Sequence, residues 1–134
     1  MKYLLDTNTC IRYLNRRSAS IIRRLNAESP DEIVVCSVTR AELLFGALKS
    51  THSEKTRAAQ REFLEPVATL PFDDAAAEHY GQIRAQLEMA GTPLGPNDLL
   101  IAAIALAHNL IVVTHNTREF SRVDRLKLED WETD

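Results

Sequence analysis

Glycine is scarce, with four residues in 134 and none spaced as GxGxxG. That excludes the glycine-rich turn of a dinucleotide-binding module, where the backbone must approach a pyrophosphate closely. The only cysteines, Cys10 and Cys36, form neither a disulfide framework nor a close zinc-binding pair. Buried thiols acting as small hydrophobes are expected instead. His52, His79, His108 and His115 include no HxH or HxxxH pair, so nothing indicates a histidine zinc site. No apolar run nears the ~20 residues that span a bilayer. The first six residues hold one lysine and then an acid, unlike a secretory leader. The expectation is a cytoplasmic protein with no membrane association. A surplus of positive charge is also missing. The net charge of −3 argues against a protein that binds nucleic acid only by coating its phosphates. That argument weakens where acids surround a cation that cancels them locally.

What remains is the ordinary balance of a globular protein, 45% apolar and 26% charged. A chain of this length is expected to fold as a single domain, residues 1–134, with its own core. "YLL" after Lys2 reads as a strand over 2–6, and Asp6 or Thr7 caps a helix from Thr7 to about Asn15, with Ile11 and Leu14 on one side. Ser18 to about Ala27 is a second helix, with Ile21, Ile22 and Leu25 inward. "SPDE" is a turn, and "IVVCS" (33–37) is a β-branched buried strand. Ser37 or Thr39 can cap the next helix, where Val38, Ala41, Leu44, Phe45 and Leu48 share a face. A helix over 53–65 stops before Pro66, and Pro71 marks "VATLPF" (67–72) as an edge strand. Asp73 caps a long helix that Gly91 ends. Pro96 suits the first turn of a helix that is apolar on every side from Leu99 to Ala107 and should lie deep in the core. "LIVVT" (110–114) is another buried strand and "LKLEDW" (126–131) a further edge strand. Strands alternating with helices predict an α/β fold, a three-layer α/β/α sandwich around a central parallel sheet.

In such sheets ligands gather beyond the carboxyl ends of the strands, and acids recur there. Asp6 ends the first strand, and Glu42 lies early on the helix after the second. Asp98 opens the buried helix, while Thr114, Asn116 and Glu119 come after the last central strand. Each alone also serves as a helix cap or a solvated surface group. Together they repel one another unless a cation sits among them. Oxygen donors without a Cys or His pair select a hard ion, Mg2+ or Mn2+. That ion suits phosphodiester hydrolysis.

"LLDTN", "SVTRAELLFGA", "GTPLGPNDLLIAAIALAHNLIVVTHNTREF" and "LEDW", in that order over nearly the whole chain, resemble a PIN-domain ribonuclease, and most closely the VapC toxins of type II toxin–antitoxin systems. The resemblance implies a Mg2+- or Mn2+-dependent endoribonuclease that hydrolyses phosphodiesters with metal-activated water and leaves 5′-phosphate and 3′-hydroxyl ends. It implies Asp6, Glu42, Asp98 and Glu119 as catalytic acids, and Asp6, Asp98 and Asn116 as metal ligands. Asn8 and Thr114 support them. Many relatives have an aspartate shortly after the threonine, where this chain has Asn116, so Asn116 or Glu119 fills that role. The basic groups Arg12, Arg16, Arg17, Arg23, Arg24 and Arg118, Arg122, Arg125, Lys127 are candidate rims for RNA, with Arg12, Arg118 and His115 as the candidate RNA-binding residues. The implied partners are RNA, through a tRNA anticodon loop, a VapB-type antitoxin laid across the groove, and a second copy in a homodimer. Two other readings remain open. One is a catalytically weak PIN-like RNA-binding or scaffold domain. The other is a Mg2+-dependent phosphatase of haloacid-dehalogenase type, which usually wants an acid where Asn8 stands.

Overall fold

The computed structural model describes residues 1–133. Five short strands form one parallel sheet: β1 (Tyr3–Leu5), β2 (Ile33–Cys36), β3 (Ala68–Leu70), β4 (Ile111–Val113) and β5 (Lys127–Glu129), in the order β3-β2-β1-β4-β5. Register is set at the centre, where Tyr3 pairs with both Ile33 and Ile111 and Leu5 with Val113. The order reverses at β1, so β1 and β4 diverge in their onward connections and leave a crevice at their carboxyl ends. Both edge strands are those expected from Pro71 and from the polar pattern of 126–131.

Side chains alternate across the pleat and feed two cores. Leu4, Val34 and Val112 face one side, covered by α5 (Asp74–Met89), α6 (Pro96–His108) and Phe120 of the short α7 (Thr117–Phe120). Tyr3, Leu5, Val35 and Val113 face the other, covered by α1 (Thr7–Leu14), α2 (Ala19–Asn26), α3 (Ser37–Lys49) and α4 (Ser53–Leu64). In α6, Leu99 and the run from Ile101 to Ala105 are buried, as its all-round apolar surface requires. The helix ends on Asn109 in the left-handed region (φ 53°), a stop the sequence reading did not assign. Helix α5 ends on Gly91 (φ 71°), whose neighbour Thr92 donates its N–H to Leu87 O at 2.9 Å. Glycine reaches that conformation at no steric cost.

One detail differs from expectation, and the exposure of two helices adds what periodicity left open. Neither Ser37 nor Thr39 caps α3. Its N-cap is Cys36, because β2 runs straight into the helix and places Ser37 at the first helical position. Only Thr39, Leu43 and Ala47 of α3 are buried, while Leu44, Phe45 and Leu48 are 43%, 64% and 60% exposed. Periodicity finds an apolar stripe but does not say what covers it. In α1, likewise, Thr7, Thr9 and Cys10 are buried and Ile11 is exposed. The cap at Asp6 turns the first helical residues into the sheet edge.

Candidate active site

Asp6 is held from three directions at the end of β1. Its backbone N–H donates to Val113 O (3.1 Å), continuing the β1–β4 ladder past the last strand residue. Its Oδ1 accepts the Thr9 N–H at 2.9 Å, the N-cap bond of α1, and the Thr9 hydroxyl donates to Val113 O at 3.1 Å. Thr114, fully buried, places its hydroxyl against the carboxylate. Burial nevertheless raises the Asp6 pKa above the ordinary carboxylate range, because the hydrogen bonds from Thr114 and Thr9 offset only part of the lost hydration. The nearby Glu132 pushes the same way.

Glu42 is tied to the segments on either side of it. Thr7, next to Asp6, donates its hydroxyl to Glu42 Oε1 at 2.6 Å. Asn97, next to Asp98, donates its amide to Oε2 at 3.1 Å. One side chain of α3 thus links the starts of α1 and α6. Thr39 sits 3.1 Å from the Thr7 hydroxyl and backs this arrangement from within the core. Asp98 is half-buried in the first turn of α6, and its pKa is raised to about 6. Burial is the largest cause, then the charges of Asp6, Glu119 and Glu42. The acids read from four separate motifs act on one another in one crevice. Glu119 is oriented by Asn116, whose amide donates to Glu119 Oε2 at 2.9 Å, and Asn116 N–H donates to the Thr114 hydroxyl at 2.9 Å.

Against this geometry, the family model described as PIN domain matches residues 3–126. The chain belongs to the PIN-domain family. It is 44% identical to the tRNA(fMet)-specific endonuclease VapC of Shigella flexneri and 41% identical to that of Salmonella typhimurium. Both alignments cover 98% of each chain. It superposes on VapC-containing complexes: DNA-bound VapBC of Salmonella typhimurium (TM-score 0.92, 41% identity, 98% of each chain) and VapBC2 of Rickettsia felis with a promoter DNA fragment (TM-score 0.91, 36% identity, 98% and 99%). Full-length likeness places this PIN domain among the VapC ribonucleases.

PIN-domain nucleases use a divalent cation, and the donor set of this PIN domain suits one. Its convergent donors are oxygens, and mutual repulsion at Asp98 is what a bound cation relieves. Asn116 donates its NH2 to Glu119 and so keeps its amide oxygen available as a donor. Asn8 is exposed and lines a cavity of about 500 Å3 with Asp6, Ile11 and Asn116. Arg12 and His115 line the same cavity, while Arg118 is exposed on α7. Sequence reading missed the roles of Thr7, Thr39 and Asn97 in holding Glu42. It also missed the part played by the C-terminal carboxylates Asp130 and Glu132. The adjacency of Thr7 to Asp6 and of Asn97 to Asp98 was the available signal for the first group.

Proposed function

We propose that this PIN domain, residues 1–134 acting as one unit, is the toxin of a VapBC-type pair. In this reading it is a cytoplasmic endoribonuclease that hydrolyses a phosphodiester in the anticodon region of a tRNA. The observation that carries the reading is the Glu42 bridge: its carboxylate bonds to Thr7 and Asn97, bringing the neighbourhoods of Asp6 and Asp98 together at the carboxyl edge of the sheet. Acids so arranged suit Mg2+ or Mn2+, with Asp6, Asp98 and the Asn116 oxygen as ligands and Glu42 and Glu119 as further catalytic acids. Such an ion, when bound, polarises a phosphoryl oxygen and lowers the pKa of water. The chain's own residues do the rest. The β1 ladder and Thr114 hold Asp6 in place, and Thr7 and Asn97 orient Glu42. Asn116 holds Glu119, whose charge acts on Asp98, which supports Glu119 as the fourth acid and Asn116 as its orienting partner.

The partner reading rests on the identities of the relatives and on the exposed face of α3. Leu44, Phe45 and Leu48 form an exposed apolar strip that reaches the groove at Phe45, suited to a VapB-type antitoxin. A homodimer completes the proposed assembly.

Incubating the purified protein with initiator tRNA, with Mn2+ or with EDTA, tests this. Cleavage in Mn2+ that EDTA abolishes is expected, with 5′-phosphate and 3′-hydroxyl products. Binding of the RNA with no cleavage in either condition overturns the enzyme reading in favour of an RNA-binding scaffold.

A further inference from the structure

The cavity that holds Asp6 is lined by two basic side chains, Arg12 and His115, and both are paired with C-terminal carboxylates. Arg12 on α1 places Nε 2.5 Å from Glu132 Oε1. His115, after β4, places Nδ1 2.9 Å from Asp130 Oδ2 and 3.4 Å from Glu132 Oε2. Glu132 therefore offers one oxygen to the guanidinium and the other to the imidazole. Its side chain is only 13% exposed, although Arg12 and His115 remain 46% and 64% exposed. The carboxylate also lies near enough to Asp6 to raise its pKa. A negative group is thus kept beside an acidic crevice, where repulsion alone would expel it. The Arg12 guanidinium, with the His115 ring beside it, holds it there.

The segment that presents Glu132 is anchored firmly. Trp131 is buried against Tyr3 (ring centroids 5.0 Å) and beneath the Arg24 guanidinium (5.0 Å). Its carbonyl accepts the Ser20 hydroxyl at 2.6 Å, and the Glu132 N–H donates to Asp130 Oδ1 at 2.9 Å. Backbone and Trp131 are fixed, whereas the Glu132 side chain ends at the cavity wall. Among the described residues, His115, Asp130 and Glu132 are also the one His/Cys/Asp/Glu group with ligand-type atoms within 4.8 Å of one another. The Glu132 charge is already paired with Arg12.

We propose that Arg12, assisted by His115, is a binding position for an RNA backbone phosphate, and that Glu132 occupies it in the RNA-free protein and yields it when RNA binds. This rests on the ribonuclease reading above. A carboxylate and a phosphate are interchangeable partners for a guanidinium, and the phosphate offers more acceptor oxygens. The resident acid keeps Arg12 from pairing with Asp6 in the empty crevice. It also makes RNA binding cost one ion pair, so that the exchange releases few counterions.

Steady-state cleavage of end-labelled initiator tRNA in Mg2+, over a series of salt concentrations, tests the exchange with the full chain. Glu132→Gln keeps the shape and removes the charge. It is expected to lower KM about 2- to 5-fold at low salt, the range a part-exposed ion pair returns. The log–log salt dependence of KM should steepen by about 0.7, the increment for one phosphate of a single strand. Arg12→Gln raises KM, and in the double variant the Glu132→Gln gain disappears. A gain that persists on the Arg12→Gln background reports a general charge effect and overturns the proposal. A KM that Glu132→Gln leaves unchanged or raises, with thermal unfolding like the parent's, overturns it as well. In either case the parent still cuts, which separates this failure from failure of the ribonuclease reading, where the parent itself does not cut.

Discussion

Asp98 carries the most perturbed carboxyl whose position is explained by its neighbours. Raised to about 6 by burial and by Asp6, Glu119 and Glu42, it holds a proton in the metal-free folded protein at pH values where the unfolded chain, near 3.8, has lost it. The folded state then binds more protons, so metal-free stability falls as pH rises from about 4 to about 6. The loss is on the order of 1 kcal/mol after solvent screening of a half-buried group. Asp6, raised in the same direction, adds to the fall. Melting in EDTA across that range should show it, and Asp98→Asn should flatten the curve. At pH 7 the same variant melts no lower than the parent. Its cleavage rate in Mn2+ drops by about 100-fold or more, as loss of a group acting on the transition state predicts. A variant that cuts as well as the parent removes Asp98 from the site.

At the scale of elements, short strands gain their long-range order from the residues just beyond their carboxyl ends. β1 has three residues, yet its end is fixed by the Asp6 cap, the Thr9 hydroxyl and the N–H to Val113 O. The last turn of chain works in the same manner. Trp131 packs on Tyr3 at the head of β1, donates its Nε1–H to Glu129 at 2.9 Å, and receives α2 through Ser20 and Arg24. Trp131→Ala should therefore cost about 3–5 kcal/mol, the usual range for deleting a buried aromatic, read as a lower denaturant midpoint. The same substitution frees Asp130 and Glu132 from the cavity wall, and faster amide exchange at residues 129–132 should report it. Apolar patterning made the strands and the buried α6 legible, since a helix without a polar face has to lie inside. It found the apolar face of α3 without saying what covers it, because the exposed stripe is as apolar as the buried one.

For the whole molecule, that exposed stripe is the largest departure from a self-sufficient fold. Phe45 lines a groove with Asn8, Ile11 and Glu42, and Leu44 and Leu48 are exposed on the same helix, so a helical partner laid there would cover groove and stripe together. Phe45→Glu adds a charge where nothing in the core is disturbed, so stability should stay within about 0.5 kcal/mol of the parent. Co-purification with a co-expressed VapB-type antitoxin should be lost or sharply reduced, as read by size-exclusion chromatography. Retention of a full complex would move the antitoxin surface elsewhere. No helix among the described residues is long and apolar enough to cross a membrane.

Local chemistry determined much of this protein. Alternating apolar runs set the layers, Asp73 and Gly91 bounded α5, and acids placed just after strands and at helix starts were readable as neighbours because parallel α/β sheets bring those places to one edge. Tertiary structure alone decided which groups meet. The Glu42 bridge between Thr7 and Asn97 spans contacts 35 and 55 residues apart. The pairing of Arg12 with Glu132 joins opposite ends of the chain. Such contacts depend on strand order and helix rotation, which are set by the packing of the whole core and leave no periodic trace in the residues that make them.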